Sequence, residues 1–154
     1  MKQQYGAFIL FVLLEVITGC SIENQNFNAI SISATLIGKG NLFGNGAENI
    51  DKQNMVIRDT ATWNQLLDKM NTANTVSNTF TETDIDFDNF TVIAVFDAVQ
   101  PNGGHSIDIT SIIEFETTIF VKIENLQQGD ATSVITQPYH IVKIPKGDKP
   151  IAFG

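Results

Sequence analysis

Hydrophobic and polar residues alternate over residues 30–36, a pattern that indicates a β-strand with one buried face. A second short strand is predicted over residues 53–58. Between them, residues 38–49 carry four glycines and three asparagines, which tolerate positive φ, so this stretch is predicted to be a loop. It lacks the Gly-Lys-Ser/Thr ending of a phosphate-binding loop.

The hydrophobic period then changes to that of a helix over about residues 60–71. Either Asp59 or Thr60 is suited to cap its first turn. The apolar stripe, at spacings i, i+3, i+4 and i+7, consists of Trp63, Leu66, Leu67 and Met70. Such a stripe is typical of a helix packed on a core. The Asn- and Thr-rich stretch 71–84 that follows is predicted to be irregular.

From residue 85 onward the pattern is that of β-strands. Residues 90–96 are almost continuously apolar, which predicts a central strand covered on both faces. Further strands are predicted over 105–113, 115–126 and 139–144, with an edge at 151–153. The order of elements predicts one α+β domain, mainly an antiparallel sheet or a small β-sandwich with one packed helix.

The first nineteen residues have the pattern of a secretory signal peptide: Lys2 supplies the positive region and residues 8–14 an apolar core too short to span a bilayer. Ile17-Thr18-Gly19-Cys20 resembles the bacterial lipobox, after which the signal is cut and the cysteine is lipidated. We therefore expect a signal peptide over 1–19, a lipid-anchored Cys20 opening a polar tether over 20–29, and one globular domain over 30–154. Since Ser21 follows the cysteine where an inner-membrane retention signal has Asp, the outer membrane of a bacterial envelope is predicted.

Composition narrows the functional classes further. The net charge of −8 argues against nucleic-acid binding. Removal of the signal peptide leaves this charge unchanged, because residues 1–19 contain one basic residue, Lys2, and one acidic residue, Glu15. A single cysteine excludes an internal disulfide and cysteine-rich zinc motifs. No cofactor is predicted.

Two groups of residues are candidate metal sites. Asp84, Asp86 and Asp88 recur at period two, as at the start of a calcium-binding loop, but Asn89 and Val95 stand where that motif requires Gly and a final ligand. The alternative is an acidic, solvated approach to the next strand. His105 and His140 would need to meet a carboxylate in space to hold zinc, and structural roles are favoured for both.

Nothing in the sequence marks a catalytic nucleophile. The chain has no G-x-S-x-G motif, and no base is recognisable beside Ser106, Ser111 or Ser133. We therefore predict that the protein is not an enzyme.

The most distinctive segment is Pro101-Asn102-Gly103-Gly104-His105-Ser106. Proline fixes φ and the glycine pair permits positive φ, so the chain can turn sharply here. Two interpretations remain open, a structural hairpin and a turn that binds a partner, with Tyr139 as a further contact.

Together with residues 92–96 and Pro138-Tyr139-His140-Ile141-Val142, this segment resembles the C-terminal domain of the protease complex subunit PrcB family. The resemblance extends over about residues 55–153 and includes the helix with Trp63; His105 stands where the family usually has Tyr. It implies a small lipoprotein of Bacteroidetes-type bacteria without catalytic residues, acting beside an exported protease.

Three functions follow as hypotheses. The first is a membrane-tethered protein-binding module, an accessory of an envelope protease or of another exported protein. The second is a protease inhibitor similar to chagasin, whose Gly-containing loops plug a protease cleft. The third is a lipoprotein that binds a small ligand such as a sugar.

Overall fold

The structure, a computed structural model, describes residues 28–154. The predicted signal peptide, Cys20 and most of the predicted tether lie outside the described residues. The strands are β1 Ile30–Ser31, β2 Thr35–Leu42, β3 Gln53–Ile57, β4 Phe90–Phe96, β5 Asp108–Glu114, β6 Ile119–Glu124, β7 Gln137–Pro145 and β8 Ile151–Phe153. The helix α1 spans Thr60–Met70, and a 3₁₀ helix spans Val76–Thr79. Within the described residues, no helix is long and apolar enough to cross a membrane.

The strands form two four-stranded sheets. The helix-side sheet has the order β2-β7-β4-β3 and is antiparallel throughout. The outer sheet has the order β1-β5-β6-β8 and is antiparallel except for β6 and β8, which pair in parallel. The predicted α+β class, a small β-sandwich with one packed helix, is confirmed.

Strand β4 lies inside the helix-side sheet and is buried on both faces, as its continuous apolar run predicts. Val92, Ala94 and Phe96 pack into a core beneath α1. Ile93 and Val95 pack into a second core between the two sheets. Because successive side chains of a strand point to opposite faces, one sequence stretch supplies both cores.

The helix begins and ends close to its predicted bounds. Asp59 is its N-cap: the carboxylate accepts from the Thr62 backbone N–H at 2.8 Å, which supplies an otherwise unpaired donor. The stripe buries Trp63, Leu66 and Met70 against the sheet. The indole N–H of Trp63 donates to the Thr83 carbonyl at 2.7 Å, so burial leaves no orphaned donor there.

The predictions for residues 30–49 were partly wrong. The chain crosses between sheets at residues 32–34, so the predicted single strand is split into β1 and β2. The predicted loop 38–49 begins only after Leu42, because β2 continues through two glycines. A Cβ on Gly38 would lie 2.5 Å from the ring of Phe80, and one on Gly40 would lie 3.4 Å from the Tyr139 hydroxyl. These glycines admit aromatic rings against a strand rather than forming a turn.

Three long connections gather at one end of the sandwich, here called the loop end: residues 43–52, 97–107 and 125–136. At the opposite end, here called the entry end, lie the short connections 115–118 and 146–150. The chain enters the domain there, because Ile30 of β1 pairs with Glu114 at the end of β5.

Candidate functional site: the loop end

The Pro101–Ser106 segment lies in the connection from β4 to β5, and these strands belong to different sheets. The hairpin alternative is therefore wrong, since the segment carries the chain from one sheet to the other. Gly104 adopts a φ of +71°, a positive value that glycine permits and that the glycine pair predicts for this turn.

The segment is fixed by a second loop, 125–136, that runs beside it. Backbone hydrogen bonds join Gly129 N to Gly104 O at 3.1 Å and Asp130 N to Gly103 O at 2.9 Å. The Asn102 amide donates to the Asp130 carbonyl at 2.7 Å, and its oxygen lies 2.9 Å from His105 Nε2. Two loops outside the named strands are thus joined by backbone and side-chain hydrogen bonds.

An open cavity of about 360 Å³ lies where these loops meet the edge strand β2. It brings together three of the residues predicted to contact a partner, namely His105, Ser106 and Tyr139. The other lining residues come from β2, β5 and the 125–136 loop: Lys39, Gly40, Asn41, Ile107, Asp108, Leu126 and Gln127. Pro101, Asn102, Gly103 and Gly104, which were also predicted as partner contacts, do not line it.

A buried carboxylate organises the wall of this cavity. Asp108 forms an ion pair with Lys39 and accepts from the Ser106 hydroxyl at 2.5 Å. Burial alone would raise the pKa of Asp108, but the hydrogen bonds from Lys39 and Ser106 outweigh it and lower that pKa. The Ser106 hydroxyl also accepts from Gln127 N at 3.0 Å, so both its donor and its acceptor capacity serve the fold.

His140 lies behind this ion pair. Its Nδ1 accepts a hydrogen bond from Ile109 N at 2.9 Å, which requires the ring to be unprotonated at that nitrogen. Burial, reinforced by the nearby charge of Lys39, lowers the pKa of His140 to about 4. His140 is thus a neutral structural histidine that joins the two sheets at neutral pH.

A second buried carboxylate, Asp97, ties the three loops together. It pairs with Lys52 at 2.9 Å and accepts from the Asn125 amide at 2.9 Å and from Ala98 N at 2.9 Å. Burial would raise the pKa of Asp97, but the contacts with Lys52 and Ala98 lower it overall. Each of the loops 43–52, 97–107 and 125–136 contributes at least one of these groups.

The loop end also exposes apolar side chains. Among residues 28–154, eight large hydrophobic residues are exposed, and five of them lie on the three loops: Phe43, Val99, Leu126, Val134 and Ile135. This concentration of exposed apolar side chains at one end favours the loop end over the entry end as a protein-interaction surface.

The comparison with known families supports the resemblance seen in the sequence. Residues 91–145 match the family model described as PrcB C-terminal. The predicted PrcB resemblance is confirmed over these residues, while the upstream helix with Trp63 lies outside the match. No curated protein and no solved structure matches the chain.

The PrcB C-terminal match runs from β4 through β7 and contains the turn, both loop-end carboxylates and Tyr139. The match supports a module of the protease-complex-subunit kind. Lys39 and Asn41, which complete the cavity, come from β2 outside the match.

The acidic triplet lies away from this site, before β4. Asp84, Asp86 and Asp88 are exposed, while the intervening Ile85 and Phe87 are buried. Asp86 accepts from Asp88 N at 3.0 Å and from the Asn89 amide at 2.7 Å, which closes a turn rather than presenting a ligand. In the part of the chain that the structure describes, no three or more His, Cys, Asp or Glu side chains are grouped so that they could hold a metal ion.

Sequence reasoning did not single out Lys39, Asp108 or Asp97. For Lys39 a signal was available: the Gly-Lys-Gly-Asn stretch after an apolar strand places small and polar residues at period two, which is compatible with a continued edge strand. The partnership of Lys39 with Asp108 joins residues 69 positions apart, and local pattern cannot show that.

Proposed function

We propose that this chain is a lipid-anchored, non-enzymatic protein-binding module of a bacterial envelope, and that it acts as an accessory subunit of an exported protease. The loop end is the proposed contact surface. Lipid on Cys20 is the proposed anchor, and the outer membrane the proposed location.

The observation that carries the proposal is the loop end itself. The exposed Leu126 lines the cavity whose wall carries the Asp108 network, and the exposed Phe43 lines the neighbouring cavity. The Asp97 network ties the loops together through Lys52 and Asn125. Binding costs less ordering free energy when the surface is already rigid, so such a surface favours a partner of defined shape. The PrcB C-terminal match over the same segment supports a protease complex as the setting.

The position of the chain entry is compatible with this arrangement. Residues 21–29 would lead from a lipidated Cys20 to β1 at the entry end, and fully extended they reach about 30 Å. The loop end would then face away from the membrane, where it is accessible to another envelope protein.

The anchor is tested by labelling cells with radioactive palmitate. We expect label on the full-length chain and none on a Cys20→Ala variant. Label that persists in the variant would contradict the lipid anchor without affecting the binding proposal.

The partner is tested by crosslinking the full-length chain in envelope membranes and identifying what is attached. We expect an exported protease, or a subunit of one, with capture lost in Phe43→Ser at the loop end. Phe115→Ser at the entry end is the matched control, since Phe43 and Phe115 are both exposed, at 57% and 43%. Equal loss in both variants, or capture unaffected by either, would refute the loop end as the contact surface.

One observation favours a second candidate, an inhibitor of the chagasin type. Three loops project together from one end of a β-sandwich, an arrangement that can enter a protease cleft. Inhibition of a papain-type protease by the purified protein at micromolar concentration would support this function, and no inhibition would remove it. The small-ligand hypothesis stays a prediction.

A further inference from the structure

The edge strand β2 has unpaired backbone groups beside the loop-end cavity. Its neighbour β7 contains Pro138, which has no N–H and whose carbonyl accepts from Asp97 N at 3.0 Å on the β4 side. Pro138 lies opposite Asn41, so these two form a non-hydrogen-bonded pair. The N–H and C=O of Asn41 therefore point out of the sheet, and by the two-residue period so do those of Lys39.

These outward groups are available at one part of β2 only. Further back along the strand, Thr81 covers the edge: its N–H donates to the Ile37 carbonyl at 2.9 Å and its hydroxyl to the Leu36 carbonyl at 2.8 Å. Within residues 28–154, no hydrogen bond reaches the outward groups of Lys39 and Asn41. The amide oxygen of Asn41 is also buried without a partner.

An open cavity lies on each face of this free edge. The 360 Å³ cavity on the face toward the outer sheet contains the Lys39–Asp108 pair. A second cavity of about 440 Å³, on the face toward α1, is lined by Val76, Tyr139 and the exposed Phe43. Gly40 lies between the two cavities, and a Cβ there would lie 3.4 Å from the hydroxyl of Tyr139, which lines both.

We infer that β2 binds an extended segment of a partner protein as an added strand over residues 39–41. In this mode, backbone hydrogen bonds supply affinity and alternate side chains enter pockets on opposite faces. The inference rests on the proposed protein-binding function and specifies how that surface would engage its partner.

Charge and polarity define the chemistry of the segment. The described residues carry a net charge of −7, from eight basic and fifteen acidic side chains. The Asp108 carboxylate is already engaged by Lys39 and Ser106, but the amide oxygen of Asn41, a residue that lines the outer-sheet cavity, is buried without a hydrogen-bond partner. A basic side chain carries only donors and suits both that acceptor and the negative charge of the domain, and the adjacent residue, which points to the other face, is apolar to fit against Val76 and Tyr139.

The test uses the full-length protein in detergent and the synthetic hexapeptide Thr-Lys-Val-Lys-Val-Thr as probe, followed by backbone amide shifts. We expect saturable shifts at Lys39 and Asn41, and little response to the peptide with Glu in place of Lys. Equal binding of the two peptides, or shifts confined to other regions, would overturn the inference.

Two substitutions locate the binding edge. Asn41→Pro removes an outward N–H without removing a bond to β7 and should weaken peptide binding about tenfold. Asn54→Pro is the matched control: Asn54 is exposed on β3, the other edge of the same sheet, and its N–H also points outward because it lies opposite Val95. Gly40→Val, which adds side-chain atoms beside the Tyr139 hydroxyl in the lining of the second cavity, gives an independent reading if Asn41→Pro fails to fold.

The outcomes also separate this inference from the proposed function. Capture of a protease that survives both Asn41→Pro and Gly40→Val would leave the binding module intact and refute strand addition. Self-association through β2, seen as a dimer in sedimentation that Asn41→Pro abolishes, would refute the partner-segment inference in favour of a second copy. Loss of peptide binding in Asn41→Pro but not in Asn54→Pro would support it.

Discussion

The two ends of the sandwich differ in the contacts that hold their connections together. The entry end has short connections closed by local contacts, such as Phe115 N to Thr118 O at 2.8 Å. The loop end has three long connections held by buried polar side chains, above all Asp97 and Gln137, whose amide donates to the Ile50 carbonyl at 2.7 Å. The difference shows that long loops can be tied together without regular secondary structure when a buried carboxylate or amide forms hydrogen bonds to several of them at once.

The largest expected effect comes from removing the carboxylate that joins the loops. Asp97→Ala should reduce the free energy of unfolding by about 3 kcal/mol, since it deletes charge-assisted hydrogen bonds to Lys52, Ala98 and Asn125. Denaturant unfolding measures the change.

The control for that substitution lies at the entry end. Glu114 pairs with Lys149 at 2.7 Å, but both side chains are about 30% exposed. Glu114→Ala should therefore cost less than about 1 kcal/mol. Similar losses in the two variants would refute the contrast between the ends.

The pH dependence of the free energy of unfolding should show the contribution of His140, which lies behind the Lys39–Asp108 pair at the loop end. Its pKa is about 4 in the fold and about 6.5 when unfolded, so the unfolded state binds more protons between these values. The neutral ring therefore stabilises the fold fully above about pH 6.5, and lowering the pH to 4.5 should cost about 2 to 3 kcal/mol.

His140→Asn is the informative variant, because an amide oxygen can accept from Ile109 N without titrating. It should flatten the pH dependence of stability between pH 6.5 and 4.5. An unchanged slope would show that His140 is not its origin. Asp97 and Asp108 have lowered pKa values, so their stabilisation is lost only at lower pH.

Glycine substitutions give the smallest expected contrast. Gly104→Ala should destabilise the fold by about 1 to 2 kcal/mol, because φ is +71° and a Cβ would lie 2.6 Å from an Asp130 oxygen. At the entry end, Gly147→Ala meets only Ile119 at 3.9 Å and should be close to neutral. Thermal unfolding compares the two; equal shifts in melting temperature would contradict the assignment of strain to the loop end.

Elements governed by local pattern were predicted well. The stripe from Trp63 to Met70 placed α1 within a residue, and the apolar run at 90–96 gave the bounds and the two-sided burial of β4. Both signals depend on hydrophobic period and length, which a short window of sequence contains. The PrcB resemblance likewise rested on contiguous residues and was confirmed over 91–145.

Elements governed by long-range contacts were not predicted well. Gly38 and Gly40 look like turn residues until Phe80 and Tyr139 are placed against them. The Pro101–Ser106 segment looks like a hairpin until β4 and β5 are assigned to separate sheets. The cavity itself could be predicted only in part, because Lys39 and Asp108 meet across the sandwich.

By itself, the sequence determined the class of fold, the capped helix, the buried central strand and the presence of a glycine-based turn, since each depends on neighbouring residues alone. Only the tertiary structure decided which strands share a sheet, which loops lie together and where an edge of β2 stays open. Those features depend on the pairing of distant segments. Many pairings satisfy the same local pattern, and only the packed whole selects one of them.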